Sequence, residues 1–299
     1  MIAPRARIAL RRERWPTPDG DFIDVDRTVD PAGSTAAPLV VLFHGLEGDS
    51  GSPYALAVMA AAAARGWRGA VPHFRGCSGE LNRAPRAYHS GDSEEIDWIL
   101  RRFAAEPGTT GAPLFAVGVS LGGNALLKWL GERNQDAAFV AAAAAVCPPQ
   151  DLEAGARALA SGFSLLYARN FLKTLKRKSL GKLAQYPGLF DRERMLGARD
   201  FFDFDDAVTA PMHGFSSCYD YWTRSSCRPF LADIRVPTRV LNALNDPFIP
   251  VQALATPSDV SRPVELHYPA HGGHVGFQAG RGRSPWLADY LLGFFDAHR

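Results

Sequence analysis

A serine bracketed by glycines stands near the middle of this 299-residue sequence. The apolar run Leu114 to Val117 leads into Gly118-Val119-Ser120-Leu121-Gly122, and a helix-patterned stretch follows with no intervening loop. GxSxG in that setting puts the serine on a strand-to-helix elbow, a turn so tight that only glycine fits two residues before it and two after. The chemistry that suits it is nucleophilic attack on an acyl carbon. A serine hydroxyl needs a base to take its proton, the base needs an acceptor to hold it, and the oxyanion that forms needs donors. The elbow therefore predicts three partners elsewhere in the chain.

Asp246, in Leu244-Asn245-Asp246-Pro247, follows the short strand pattern ending at Leu241 and is the candidate acid, accepting the histidine's Nδ1 proton. The alternative is a turn aspartate that caps a helix start. For the base, His271 and His274 compete in HGGHVGF (271–277). Gly272 and Gly273 let the loop bend His274 toward Ser120, so His274 is assigned. His267 lies within the last strand, where a structural or surface role is expected, and His298 is terminal and takes none. The oxyanion donors are expected to be the backbone N–H of Leu121, at a helix N-terminus, and that of Leu46 in the His44-Gly45-Leu46 loop. His44 either orients that loop by hydrogen bonding or merely packs.

These residues need a frame. Ala6 to Trp15 and Phe22 to Val29 alternate around Pro16-Thr17-Pro18-Asp19-Gly20 and read as an antiparallel hairpin, closed by a loop over Asp30 to Pro38. Leu39 to Phe43, Trp67 to Val71 and Phe139 to Val146 are short apolar runs of the kind buried on both faces of a parallel sheet. Ser52 and Pro53 open a helix that Gly66 stops. Asp92 and Glu95 have capping-box spacing ahead of Ile96, Ile99, Leu100 and Phe103, which repeat as one helix face. Strand-helix alternation lapses from Gln150 to Arg228 and resumes at Thr238 to Asn242. Val264, Leu266 and Tyr268 then mark a last strand, and Ser284-Pro285 opens a closing helix. Eight strands, the first pair antiparallel, make an α/β-hydrolase core: a mostly parallel sheet flanked by helices. Residues 1–149 and 229–299 form that core, and 150–228 an inserted helical cap.

Composition narrows the function. With 46% apolar and 21% charged residues the chain has material for a large core, and 33 Lys and Arg against 31 Asp and Glu leave +2, no field for nucleic acid. Cys77, Cys147, Cys218 and Cys227 form no CxxC, so no zinc site is expected and only a Cys218 to Cys227 bridge is conceivable. Asp200, Asp203, Asp205 and Asp206 lack the glycine and glutamate of an EF-hand, and no metal is expected there. Neither GxxxxGK nor GxGxxG occurs, so no cofactor is implied. No signal-peptide core or membrane-span pattern is legible, and a cytoplasmic protein is expected. RNFLKTLKRKSLGK (169–182) carries Lys173, Lys176, Arg177, Lys178 and Lys182 and reads as the solvated face of a cap helix, or else as a weak membrane-surface contact. Arg75 and Asp92 flank the cleft-side loop and either bind a substrate carboxylate or pair within the structure.

HGLEGDSGSPY (44–54), ARGWRGAVPHFRGCSGELNR (64–83), YHSGD (88–92), GVSLGGN (118–124), FDDAVTAPMHGF (204–215), NDPFIP (245–250) and HGGHVGF (271–277) resemble the YheT-like, EMB8-type α/β-hydrolases, related to the ABHD1 and ABHD3 group. The resemblance spans nearly the whole chain. It implies esterase or acylhydrolase activity with Ser120, Asp246 and His274 as the triad. Pro72 departs from the residue more usual there and should shorten its strand. The expectation is a serine hydrolase of small to medium-chain acyl esters, the Phe- and Leu-rich cap lining an apolar acyl pocket. Its rivals are a lysophospholipase or lipase acting at membranes and a catalytically idle scaffold that binds ligands or proteins.

Overall fold

The computed structural model describes residues 8–29, 36–106, 111–277 and 286–299. The first residues of the expected hairpin, most of the Asp30 to Pro38 loop and the Ser284-Pro285 helix start lie outside them. Strands β1 (Leu10–Pro16) and β2 (Phe22–Thr28) pair antiparallel around the Pro16 to Gly20 turn, where Gly20 takes φ +79°. β3 (Leu39–Phe43), α1 (Pro53–Ala64), β4 (Arg68–Pro72), α2 (Ser93–Ala104), β5 (Leu114–Val119), α3 (Leu121–Arg133) and β6 (Ala142–Val146) follow. A helical segment then intervenes: α4 (Leu152–Leu159), α5 (Ser164–Gln185), α6 (Arg192–Gly197), α7 (Phe201–Phe204), α8 (Ala210–Met212) and α9 (Cys218–Ser225). β7 (Thr238–Leu241), β8 (Val264–His267) and α10 (Trp286–Asp296) close the chain.

The sheet runs β1-β2-β4-β3-β5-β6-β7-β8, antiparallel at β1/β2 and β2/β4 and parallel at the other pairings. Period-two alternation splits its core into two layers. Leu39, Val41 and Phe43 of β3 pack with Ile96, Ile99, Leu100 and Phe103 of α2 and with α3. Val40 and Leu42 face α1 and α10 on the other side. β6 is nearly all alanine, fully buried, and starts at Ala142 because the chain from Asn134 to Val140 turns in 3-10 fashion instead of extending from Phe139. Pro72 is the last residue of β4, opposite Val25, so it ends the strand without shortening it.

Two expected helix caps are absent. The Ser52 hydroxyl accepts the Asp49 N–H and does not cap α1, which starts on Pro53. Asp92 and Glu95 make no capping box: Asp92 pairs with Arg86, while Glu95 is buried against Arg75. Arg75 also binds Asp19 and Asp21, at 2.8 and 2.9 Å, so it ties the β1–β2 turn to α2. Arg75 and Asp92 therefore each have a structural partner, and it is not the other. The four cysteines are free thiols, and Cys218 and Cys227 are buried.

Burial alone would push Asp21 up, but hydrogen bonds from Asn82 and from the N–H groups of Arg83, Ala84 and Phe22 outweigh it and bring Asp21 down to about 2. Between that value and the unfolded one near 4 the unfolded chain binds more protons. The contribution of Asp21, about 2 kcal/mol, is thus complete above pH 4–5 and lost as pH falls toward 2. Thermal melts from pH 5 to 2 should show a steep loss for the wild type and a shallower one for Asp21→Asn.

Candidate active site

The elbow has the strain its sequence implies. Ser120 sits at φ 51°, ψ −118°, between the last residue of β5 and the first turn of α3. Four of the five non-glycine residues with positive φ among the described ones, Glu47, Ser120, Cys147 and Val275, lie on loops at the C-terminal ends of β3, β5, β6 and β8. Such strain persists only where surrounding contacts fix it. A Cβ on Gly118 would lie 2.4 Å from the Gly122 carbonyl oxygen and 2.6 Å from Gly123 Cα. One on Gly122 would strike the carbonyls of Phe43 and His44, at 2.5 and 2.6 Å, so the second glycine answers to β3 as well as to the elbow. Both obstacles to a Gly118 side chain are backbone. Gly118→Ala is expected to cost about 3 kcal/mol or more, read as a large fall in melting temperature or as insoluble protein.

The structure brings Ser120, His274 and Asp246 into one hydrogen-bonded line. Asp246, its side chain fully buried, accepts at Oδ2 from His274 Nδ1, 2.8 Å away, and at Oδ1 from the Phe248 N–H at 2.9 Å. A carboxylate can only accept, so Nδ1 carries the proton and Nε2 is left to accept the Ser120 hydroxyl, 3.0 Å away. His271 is exposed on the approach to this loop. The loop is fixed by groups the sequence did not single out. Asn245 Oδ1 accepts the N–H groups of both Gly272 and Gly273, at 3.0 and 2.9 Å, and the Phe248 ring lies 4.7 Å from that of His274. No local signal marks this clamp, because Asn245 stands 27 and 28 residues from the two glycines it holds.

The loop expected to supply an oxyanion donor follows β3. Gly48 N–H closes a turn on the Gly45 carbonyl, with Glu47 at φ 56° in a position that favours glycine. Tyr54 accepts the Gly45 N–H and Tyr88 the Glu47 N–H, each at 2.9 Å. The Leu46 and Leu121 N–H groups have no acceptor among the described residues, and both residues line the cavity at Ser120. His44 is buried beneath. Burial drives it down to about 3, so it is neutral, donating from Nδ1 to the Gly45 carbonyl and accepting the Phe74 N–H at Nε2, 3.1 Å away. It orients the loop.

The chain is similar to known proteins over most of its length. A sequence profile described as the alpha/beta hydrolase fold matches residues 38–278. YheT of Escherichia coli (strain K12), which carries an esterase name, is 42% identical over 93% of this chain and 85% of its own length. This chain is an α/β hydrolase of the YheT-like group. The human protein named Phospholipase ABHD3 is 28% identical over 94% of the chain and 69% of its own length. The fold alone is shared with the Pyrococcus furiosus esterase Pf2001, at TM-score 0.60 and 13% identity, covering 97% of this chain and 93% of that one. Membership makes the protein an enzyme of the ester-hydrolase class.

In this hydrolase a cavity of about 490 Å³ opens over Ser120 and His274. The core contributes Leu46, Leu121, Phe248 and Val275 to its wall, and the helical segment contributes Phe171, Leu175, Phe201, Phe204, Val208 and Met212. Polar groups interrupt it. Burial pushes Asp205 up to about 6 against hydrogen bonds from Thr209 and Trp222, and pushes His89 down to about 4.

The basic run on α5 differs from a solvated face. Lys176 donates to the carbonyls of Leu196 and Ala198, at the end of α6. Lys178 pairs with Glu47 at 2.7 Å, and buried Lys182 binds the Asn82 and Ala84 carbonyls, burial lowering it to about 8. Lys178 and Lys182 hold the helical segment to the core, and Lys176 ties α5 to the end of α6 within that segment, because partners distant in sequence lie under that side of α5. Lys173 and Arg177 remain exposed. Among the described residues no helix is long and apolar enough to cross a membrane. One group with metal-ligand geometry occurs among them, Cys147, Asp246 and His274, within 4.8 Å of one another. Burial pushes the Cys147 thiol up to about 12, so it stays protonated, and Asp246 is already committed to His274, so the group reads as a hydrogen-bonded cluster.

Proposed function

We propose that this hydrolase cleaves carboxylic esters of small to medium acyl chains through an acyl-enzyme on Ser120. The observation that carries this reading is the Ser120–His274–Asp246 line, facing a mostly apolar cavity beside two amide N–H groups with no acceptor among the described residues. Ser120 Oγ attacks the acyl carbon while His274 Nε2 takes its proton, and Asp246 stabilises the imidazolium. The carbonyl oxygen, now negative, is held by the Leu46 and Leu121 N–H groups, with the positive end of α3 behind the second. His274 then gives its proton to the leaving alkoxide oxygen and the C–O bond breaks. Water, deprotonated by the same nitrogen, attacks the acyl carbon, the bond to Ser120 Oγ breaks as His274 returns the proton to that oxygen, and the acid is released.

The segment from 150 to 228 serves as a cap whose aromatic and aliphatic residues receive the acyl chain. A cavity of about 490 Å³ falls within the usual size of a small-ligand site. Hydrolysis of p-nitrophenyl esters from acetate to palmitate tests the reading: kcat/KM should rise through the shorter chains and fall once the chain outgrows the pocket. A profile flat in chain length, or no turnover of any ester, would sink it.

A further inference from the structure

Where the cap meets the mouth of the site, three large apolar side chains stand in solvent. Phe163 is 87% exposed, Leu166 60% and Tyr167 57%. They occupy i, i+3 and i+4 at the first turn of α5, just after the α4–α5 bend at Gly162, φ +56°. At about 100° per residue the helix divides cleanly. Ser164, Ala168, Leu172, Ser179 and Lys182 share the buried side, while Phe163, Leu166, Tyr167, Arg169, Lys173 and Arg177 share the outer one. Those three cations are exposed and have no ion-pair partner among the described residues. An apolar tip followed by a stripe of free positive charge is the pattern of a helix that lies at a lipid–water interface.

Its place in the fold ties it to the chemistry. The Tyr167 ring contacts Phe248 at 5.1 Å, and Phe248 contacts His274 at 4.7 Å. The Ser164 hydroxyl donates to the Pro247 carbonyl at 2.9 Å, which pins the tip to the loop carrying Asp246. Leu244 and Val251 on either side of that loop are also exposed, 41% and 47%. A surface that seated Phe163, Leu166 and Tyr167 would therefore lie two ring contacts from the base.

We propose that the outer face of α5 docks the enzyme on an anionic lipid surface, Phe163, Leu166 and Tyr167 entering the acyl region while Arg169, Lys173 and Arg177 meet the head groups, so that esters are drawn from the surface into the cavity. This rests on the esterase reading for its purpose, though not for its test. Charge complementarity selects the partner: a neutral apolar partner would leave the three cations unused.

Flotation of the full chain with vesicles separates the two. The wild type should float with phosphatidylglycerol-containing vesicles, several-fold less with phosphatidylcholine alone, and less as salt rises. Phe163→Asp with Leu166→Asp should weaken flotation about tenfold or more. Neither residue lines the cavity, so a water-soluble acetate ester should be cleaved at the wild-type rate. Arg169→Glu, Lys173→Glu and Arg177→Glu together should erase the preference for the anionic vesicle. No flotation of the wild type, or equal flotation of the apolar variant, overturns the proposal. So does a wild-type dimer that the apolar variant makes monomeric while neither binds vesicles, because the face then belongs to a second copy. A wild type that floats but cleaves no soluble ester would instead count against the esterase reading and leave the docking result standing.

Discussion

Replacing Ser120 with alanine is expected to lower kcat/KM for a short-chain ester by about 10⁴- to 10⁶-fold while the protein stays folded. The size of the loss follows from the role proposed for the hydroxyl: it would be the atom that forms the acyl bond, and neither Nε2 of His274 nor the amide donors could replace it. The fold should survive because alanine keeps the Cβ, and with it the same backbone demand at φ 51°. The lost hydrogen bond to His274, 3.0 Å long, contributes about 1 kcal/mol at most. Melting temperature and circular dichroism alongside steady-state rates would separate this outcome from unfolding. Substantial residual turnover in a purified variant would move the nucleophile to another side chain.

Asp246→Asn should cost about 10⁴-fold in kcat with little change in stability. Asparagine can still accept the Phe248 N–H through its Oδ1, so the 245–248 turn keeps its hydrogen bond. What it cannot do is accept from Nδ1 with the atom that now carries two hydrogens. The imidazole then prefers the tautomer protonated at Nε2, the nitrogen facing Ser120, which can no longer take the hydroxyl proton. The imidazolium would also lose its counter-charge. Near-wild-type turnover would place the acid elsewhere.

Much of this arrangement is legible in the residues. β3 and β5 announce themselves as runs buried on both faces, and glycine at 118 has no substitute because backbone fills the space its side chain would take. The order of strand, elbow, acid and base then assigns Ser120, Asp246 and His274 without coordinates. What stayed hidden depends on contacts between segments far apart in sequence. Nothing local says that Tyr54 and Tyr88 hold the 44–48 loop, or that Asn245 clamps the two glycines ahead of His274. Lys178 and Lys182 read as solvated because helix periodicity shows which residues share a face, and not that Glu47 and the Asn82 carbonyl wait beneath it. Asp92 and Glu95 have the spacing of a capping box, yet each is captured by an arginine from the preceding loop. In a buried setting a charged partner outbids a backbone N–H.

The central claim is that His274 makes the Ser120 oxygen nucleophilic, and a fluorophosphonate probe with mass-spectrometric mapping tests it most directly. One phosphonate adduct is expected on the peptide containing Ser120, absent from Ser120→Ala and sharply reduced in His274→Ala. An unlabelled wild type, or an adduct that persists on another residue when Ser120 is gone, would contradict it.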